Sequence, residues 1–270
     1  MGADGFEWPA AADRSDGDDG GVAADSAGAS GVGGNRPTAA VMIVCVAALL
    51  GASAETAHAQ VVDDSGAWFA LFSRGDLGAE GADNRFRYWF DGHARFFDDT
   101  DGFGLSIVRP GVGYALSDST VVWAGYGWIH ASPATRPDFD ENRIWQQVTW
   151  SETLGSAAVG FRSRLEQRFL ETGSDTGWRF RQFLSYRRPL ACSERLTFVV
   201  WDEAFFHLND TDWGAAAGLD QNRIFVGMGW LCGGSNNRRI EVGYLNNYIS
   251  RRNQADLANH LLSVNLFWNP

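Results

Sequence analysis

The sequence predicts an all-β fold: a closed antiparallel transmembrane β-barrel of about 10–12 strands with a polar, Arg/Glu-rich lumen. Three observations lead there. From Trp68 onward, runs of roughly ten residues alternate in polarity between turn residues, with no helical periodicity. That length suits a tilted membrane strand. The polar faces of the runs carry charges of both signs, while Trp128, Trp150, Trp178 and Trp230 cluster near run ends, as interfacial aromatic girdles do.

The chain divides into three parts. Residues 1–36 are Gly, Ala, Asp and Ser with very few large apolar side chains, and read as a disordered acidic leader. Residues 37–59 read as a signal peptide: Arg36 is a thin basic region, Val41 to Leu50 an apolar core, and Ala57-His58-Ala59 a small-x-small site with cleavage after Ala59. The apolar run is too short to span a membrane as a helix, which takes about 20 residues. Because an export signal normally begins a chain, Val32 or Met42 is a candidate for the true start. Residues 60–270 form the barrel, which places the protein in a bacterial, Gram-negative outer membrane. The net charge of -11 argues against a nucleic-acid partner. All 22 basic residues are arginine, a bias that carries no functional assignment by itself.

The runs follow in order. Ala67 to Arg74 is the first candidate. "RFRYWFDGHARF" sets Phe86, Tyr88, Phe90, Gly92, Ala94 and Phe96 against Arg85, Arg87, Trp89, Asp91, His93 and Arg95. "VRPGVGYAL" opposes Val108, Val112, Tyr114 and Leu116 to Arg109. "ENRIWQQVTW" opposes Ile144, Val148 and Trp150 to Glu141, Arg143, Gln147 and Thr149. "GFRSRLEQRFLE" is the most polarised, with Phe161, Leu165 and Phe169 (Ser163 and Gln167 between them) opposite Arg162, Arg164, Glu166 and Arg168. "WRFRQFLSYR" opposes Phe180, Leu184 and Tyr186 to Arg179, Arg181 and Arg187. "LTFVVWDEAFFH" opposes Phe198, Val200, Ala204 and Phe206 to Glu203 and His207. "NRIFVGMGW" opposes Ile224, Val226, Met228 and Trp230 to Arg223, and "RRIEVGYL" opposes Ile240, Val242 and Tyr244 to Arg239 and Glu241. The last, "HLLSVNLFWNP", ends on a bulky aromatic, with Leu262, Val264, Leu266 and Trp268 opposite Ser263 and Asn265.

Alternation alone leaves two orientations. A secreted soluble barrel buries the aromatics; an outer-membrane barrel turns them to lipid and its charges inward. The girdles, the sign-balanced charged face and the C-terminal strand favour the membrane. Closure follows, because an open edge in lipid leaves backbone groups unpaired. Connections 132–140, 209–221 and 251–258 are long and expected outside; 117–119, 154–156, 189–194 and 233–237 are short and expected in the periplasm. Eleven runs are countable with residues 120–131, between connections 117–119 and 132–140, yet bacterial single-chain barrels have even strand numbers. The expectation is therefore ten or twelve, leaning to twelve.

The blocks "ENRIWQQ", "RSRLEQR", "WRFRQFLSYRRPL", "WDEAFF" and "QNRIFVGMGW", in this order and spacing, resemble the bacterial domain-of-unknown-function 2490 family (DUF2490) from about Trp68 to the C-terminus. The resemblance implies an outer-membrane barrel and no assigned activity. It places the family's charged positions on Glu141, Arg143, Arg162, Arg164, Glu166, Arg168, Arg179, Arg181, Glu203 and Arg223. With Arg85, Arg87, Arg109, Arg239 and Glu241 from the alternation, these make up the expected lumen network. The acidic leader lies outside the family pattern.

Such a lumen is either a small porin-like pore or a filled structural barrel, since narrow barrels are commonly filled. An open bore with arginine in excess favours anionic small solutes. A lipid-acting hydrolase or acyltransferase is a second class, with His93 and His207 on the polar face, though no Ser–His spacing identifies a site. A surface adhesin or assembly partner is a third, acting through loops such as "NDTDWGAAAGLDQ", whose Asp210, Asp212 and Asp220 lack the spacing of a dedicated calcium loop. No catalytic, metal or cofactor set is identified. Cys192 and Cys232 fall at periplasmic ends, where a disulfide is plausible in an oxidising compartment.

Overall fold

The computed structural model describes residues 61–270 apart from 79–84, 98–101, 134–136, 233–236, 253 and 270. The leader, the signal segment and the cleavage site after Ala59 lie outside the described residues. The chain forms strands β1 (Val61–Asp76), β2 (Phe86–Phe97), β3 (Gly102–Ala115), β4 (Thr120–Ala131), β5 (Phe139–Leu154) and β6 (Ala157–Leu170). It continues through β7 (Gly177–Leu190), β8 (Ser193–His207), β9 (Gly218–Cys232), β10 (Arg238–Ile249) and β11 (Asp256–Trp268).

Each strand pairs with its sequence neighbours, and β11 returns to β1 to close the barrel. Every pair is antiparallel except the closing one, which is parallel, with Val61 beside Asp256 and Ser73 beside Trp268. Here the expectation of an even strand number, and of an antiparallel barrel throughout, is corrected. All eleven runs span, and an odd count forces the first and last strands to point the same way. The range of ten to twelve strands holds. Short turns at 116–119, 155–156 and 191–192 join strands at one end, and 132–138, 171–176 and 208–217 form longer loops at the other. The alternation breaks at the first two connections: β1–β2, residues 77–85, is long at the short-turn end, and β2–β3, residues 98–101, is short at the long-loop end.

Alternation sets which way side chains point. Phe69, Phe90, Val112, Ile144, Trp178, Val226, Trp230 and Leu262 are exposed on the outer surface, and Arg109, Arg143, Arg162 and Glu166 are buried inside. The polarity is that of a barrel built for an apolar surround. The bore also takes bulky aromatics, which needs clearance on facing strands. A Cβ at Gly125 of β4 would lie 2.2 Å from Trp145 Cζ2, and one at Gly111 of β3 would lie 2.5 Å from Trp145 Cη2. These glycines are therefore sockets for the Trp145 indole as well as points of strand flexibility.

Candidate functional site

Inward positions of β5 to β9 build the ionic centre of the bore. Glu141 takes two guanidinium forks, from Arg143 (Nε 2.6 Å, Nη2 2.8 Å) and Arg168 (Nε 2.6 Å, Nη2 3.0 Å). Glu166 accepts from Arg179 Nη2 at 2.6 Å and Arg181 Nη1 at 2.7 Å, with Arg164 Nη1 at 3.7 Å. Glu203 accepts from Arg162 Nη2 at 2.5 Å and Arg181 Nη2 at 2.7 Å. Arg181 thus bridges two carboxylates, and the network runs unbroken from β5 to β9. Such planar donor forks hold carboxylates at fixed angles, which a lysine could not do.

Two smaller groups flank it. Arg109 Nε donates to Asp91 at 2.7 Å, and His93 Nε2 meets the same carboxylate at 2.8 Å. Arg239 Nε donates to Glu241 at 2.8 Å. Neutral amides complete the set: Arg164 Nε donates to Gln147 at 2.8 Å, and Arg223 Nε to Asn247 at 2.8 Å.

Aromatic faces also take up guanidinium charge. The guanidinium of Arg74 lies 3.8 Å from the Trp89 ring centre, Arg95 3.9 Å from Trp68, Arg164 4.4 Å from Trp145 and Arg239 4.0 Å from Phe267. Desolvated pairs of this kind are worth about 2 kcal/mol. The rings form two clusters, one of Trp89, Trp123 and Trp145, the other around Trp68, Trp201 and Phe225.

At the long-loop end the register slips between Phe205 and Phe206, leaving Asp220 unpaired in the ladder. The bulge re-aims Asp220 toward His207 (3.3 Å) and Arg179 (3.5 Å). Above them Trp213 packs over Arg168 at 5.0 Å. The loop holding Trp213 is latched by Asp212, which accepts from the Ser174 amide (2.8 Å) and hydroxyl (2.7 Å) and from the Asp175 amide (3.2 Å). Those donors hold the Asp212 carboxyl below the usual range, the Ser174 amide foremost. Asp210, Asp212 and Asp220 take separate partners, Asp210 accepting from the Ala217 amide at 2.8 Å.

The expected lumen network is buried except at its edge: Arg85 is exposed before β2, and Arg87 is half-buried against Asp76 at 2.9 Å. The sequence reading put Asp91, His93 and Arg95 on the polar face but did not give them to the network, because one strand does not show its partners. It missed the inward Trp145 and Phe205 as arginine partners; their parity with Arg143 and Glu203 was the available signal. His93 and His207 are buried beside acids and arginines, away from the outer surface where a lipid would meet them. Cys192 and Cys232 lie at the same end of the barrel, as loop parity expects, and both are free thiols in this structure.

A family model described as "Protein of unknown function (DUF2490)" matches residues 65–258. An uncharacterised protein of Methylorubrum extorquens is 31% identical over 218 residues, covering 80% of this chain and 92% of that protein. Two solved structures of OmpT, an outer membrane protein of Vibrio cholerae, align with TM-score 0.36 at 13% and 15% identity. The alignments cover 65% and 67% of this chain, which spans about three fifths of theirs (58% and 61%).

Proposed function

The chain belongs to the DUF2490 family, and from that premise we propose that it is an outer-membrane barrel whose bore is a sealed, charge-compensated plug rather than an open anion pore. One observation carries this reading: Arg109, Arg143, Arg162, Arg164 and Arg181 are 0% exposed. Charges that line a conducting bore are wetted by it; these are enclosed by carboxylates, amides and indoles. The partner is the lipid of the outer membrane, met by the apolar belt. Export is by the 37–59 segment, removed after Ala59.

The test is planar-bilayer recording of protein extracted from outer membranes, with heat-modifiable gel mobility as proof of the barrel. The expected result is a folded barrel without conductance steps. Steps with anion preference overturn the plug and support an anion-selective pore. A protein recovered from the aqueous fraction without detergent overturns the membrane assignment. N-terminal sequencing of the extracted protein checks the cleavage, with Gln60 expected first.

A further inference from the structure

The outer surface is not uniformly apolar. Across β5 to β9 a band of polar groups occupies outward positions at mid-strand: Gln146, Ser163, Gln167, Gln182, Asp202 and Asn222. Asp202 lies between the outward Phe198 and Phe206 of its own strand, and Gln182 between Trp178 and Tyr186. The aromatics at strand ends mark the interfaces, so Gln146, Ser163, Gln182 and Asp202 sit at hydrocarbon depth, while Gln167 pairs with Trp178 at the long-loop edge of the band. On β3 the corresponding positions are Val108, Pro110 and Val112.

A carboxylate at that depth is costly when it faces lipid, and it marks a functional contact by default. Asp202 accepts from Asn222 Nδ2 at 3.0 Å, its one hydrogen-bond donor among the described residues. Gln146 and Gln167 donate to each other, both at 3.1 Å, so each amide keeps a second N–H to give. One flank of the band is thus rich in donors and the other holds an under-used acceptor. Between them Gln182 accepts from Ser163 at 2.8 Å, and Ala204, its partner on β8, offers a small side chain where backbones could approach.

We propose that this band is an interface with a second copy of the chain inside the membrane, an inference that rests on the membrane reading above. A two-fold axis near β7 brings the donor flank of one protomer to the acceptor flank of the other, and an isologous contact requires that self-complementarity. A headgroup at the aromatic edge would meet Gln167, which pairs with Trp178, but not Asp202, which lies further along the strands between Phe198 and Phe206.

The test is oxidative cross-linking in isolated outer membranes of Gln182→Cys in a Cys192→Ser, Cys232→Ser background, with Val112→Cys in the same background as control. A reductant-sensitive dimer from Gln182→Cys alone is expected. Asp202→Leu should lower the dimer fraction in mild detergent about tenfold, the scale of one interhelical-type polar contact in a bilayer, with heat-modifiable mobility kept. No dimer from Gln182→Cys, or equal dimer from Val112→Cys, overturns the interface while the membrane barrel stands. Recovery of the protein from the aqueous fraction overturns both.

Discussion

Glu203 shows what one side chain contributes to the bore. Arg162 and Arg181 donate to it directly and Arg223 Nη1 lies 3.9 Å away. Replacing Glu203 with Gln keeps the volume and removes the charge, leaving enclosed guanidiniums short of a counter-ion. Breaking a buried pair this way costs about 3–5 kcal/mol, so Glu203→Gln should unfold at markedly lower urea in detergent. Asp138→Asn, exposed near the rim, should change stability by no more than about 0.5 kcal/mol. Asp212 makes a pH prediction in the loop. Its carboxyl is depressed on folding by the Ser174 and Asp175 amides and the Ser174 hydroxyl, so its contribution is complete above the unfolded value of about 3.9 and is lost as pH falls through the lower folded one. Trp213 fluorescence should shift only below pH of about 4, and Asp212→Asn should abolish that shift. Legibility at this scale was uneven. Glu203 and its arginines were readable because alternation sorts a strand into two faces. Asp202 was given to neither face: its neighbours on the outward side are apolar, and one strand does not reveal the amides across from it.

The strands were legible because each repeats one signal, polar against apolar with period two, between turns. Their ends were less so: the β9 bulge at Asp220 and the early starts of β5 and β11 come from pairing, which no single run contains. The glycines of β3 and β4 are sockets by virtue of pairing, which no single run shows. Gly125 faces Trp145 Cζ2 at 2.2 Å and Pro110 O at 2.5 Å from where a Cβ would stand, and a backbone oxygen cannot swing aside. Gly125→Ala should therefore cost about 1–3 kcal/mol by overpacking, measured by unfolding in detergent. Combining it with Trp145→Phe should recover part of that loss, since the smaller ring vacates the contact. Gly155, whose Cβ would meet nothing within 4 Å but whose φ is +64, separates the two causes: Gly155→Asn should be tolerated, because Asn accepts that backbone region.

At the scale of the molecule, orientation and closure were readable and the parity of the seam was not. An apolar face with aromatic ends and an arginine-rich opposite face decide what points inward, strand by strand. Strand parity belongs to no strand, and the rule of even numbers gave the wrong answer. The structure resolves the conflict by pairing β1 with β11 in parallel, placing Leu71 beside Leu266 on the outer surface. An even-stranded barrel has an antiparallel seam, and a ten-stranded one lacking β1 would leave Leu71 outside the wall. The two closures differ in which residues are neighbours. Leu71→Cys with Leu266→Cys, in a Cys192→Ser, Cys232→Ser background, should oxidise to an intramolecular disulfide, since paired strands hold Cα atoms within the range of about 4.4–6.8 Å that the bond needs. Leu71→Cys with Leu262→Cys, displaced by four residues along the parallel register, should not. Cross-linking of the second pair and not the first would mean a shifted seam, and failure of both would remove β1 from the wall and return the count to ten.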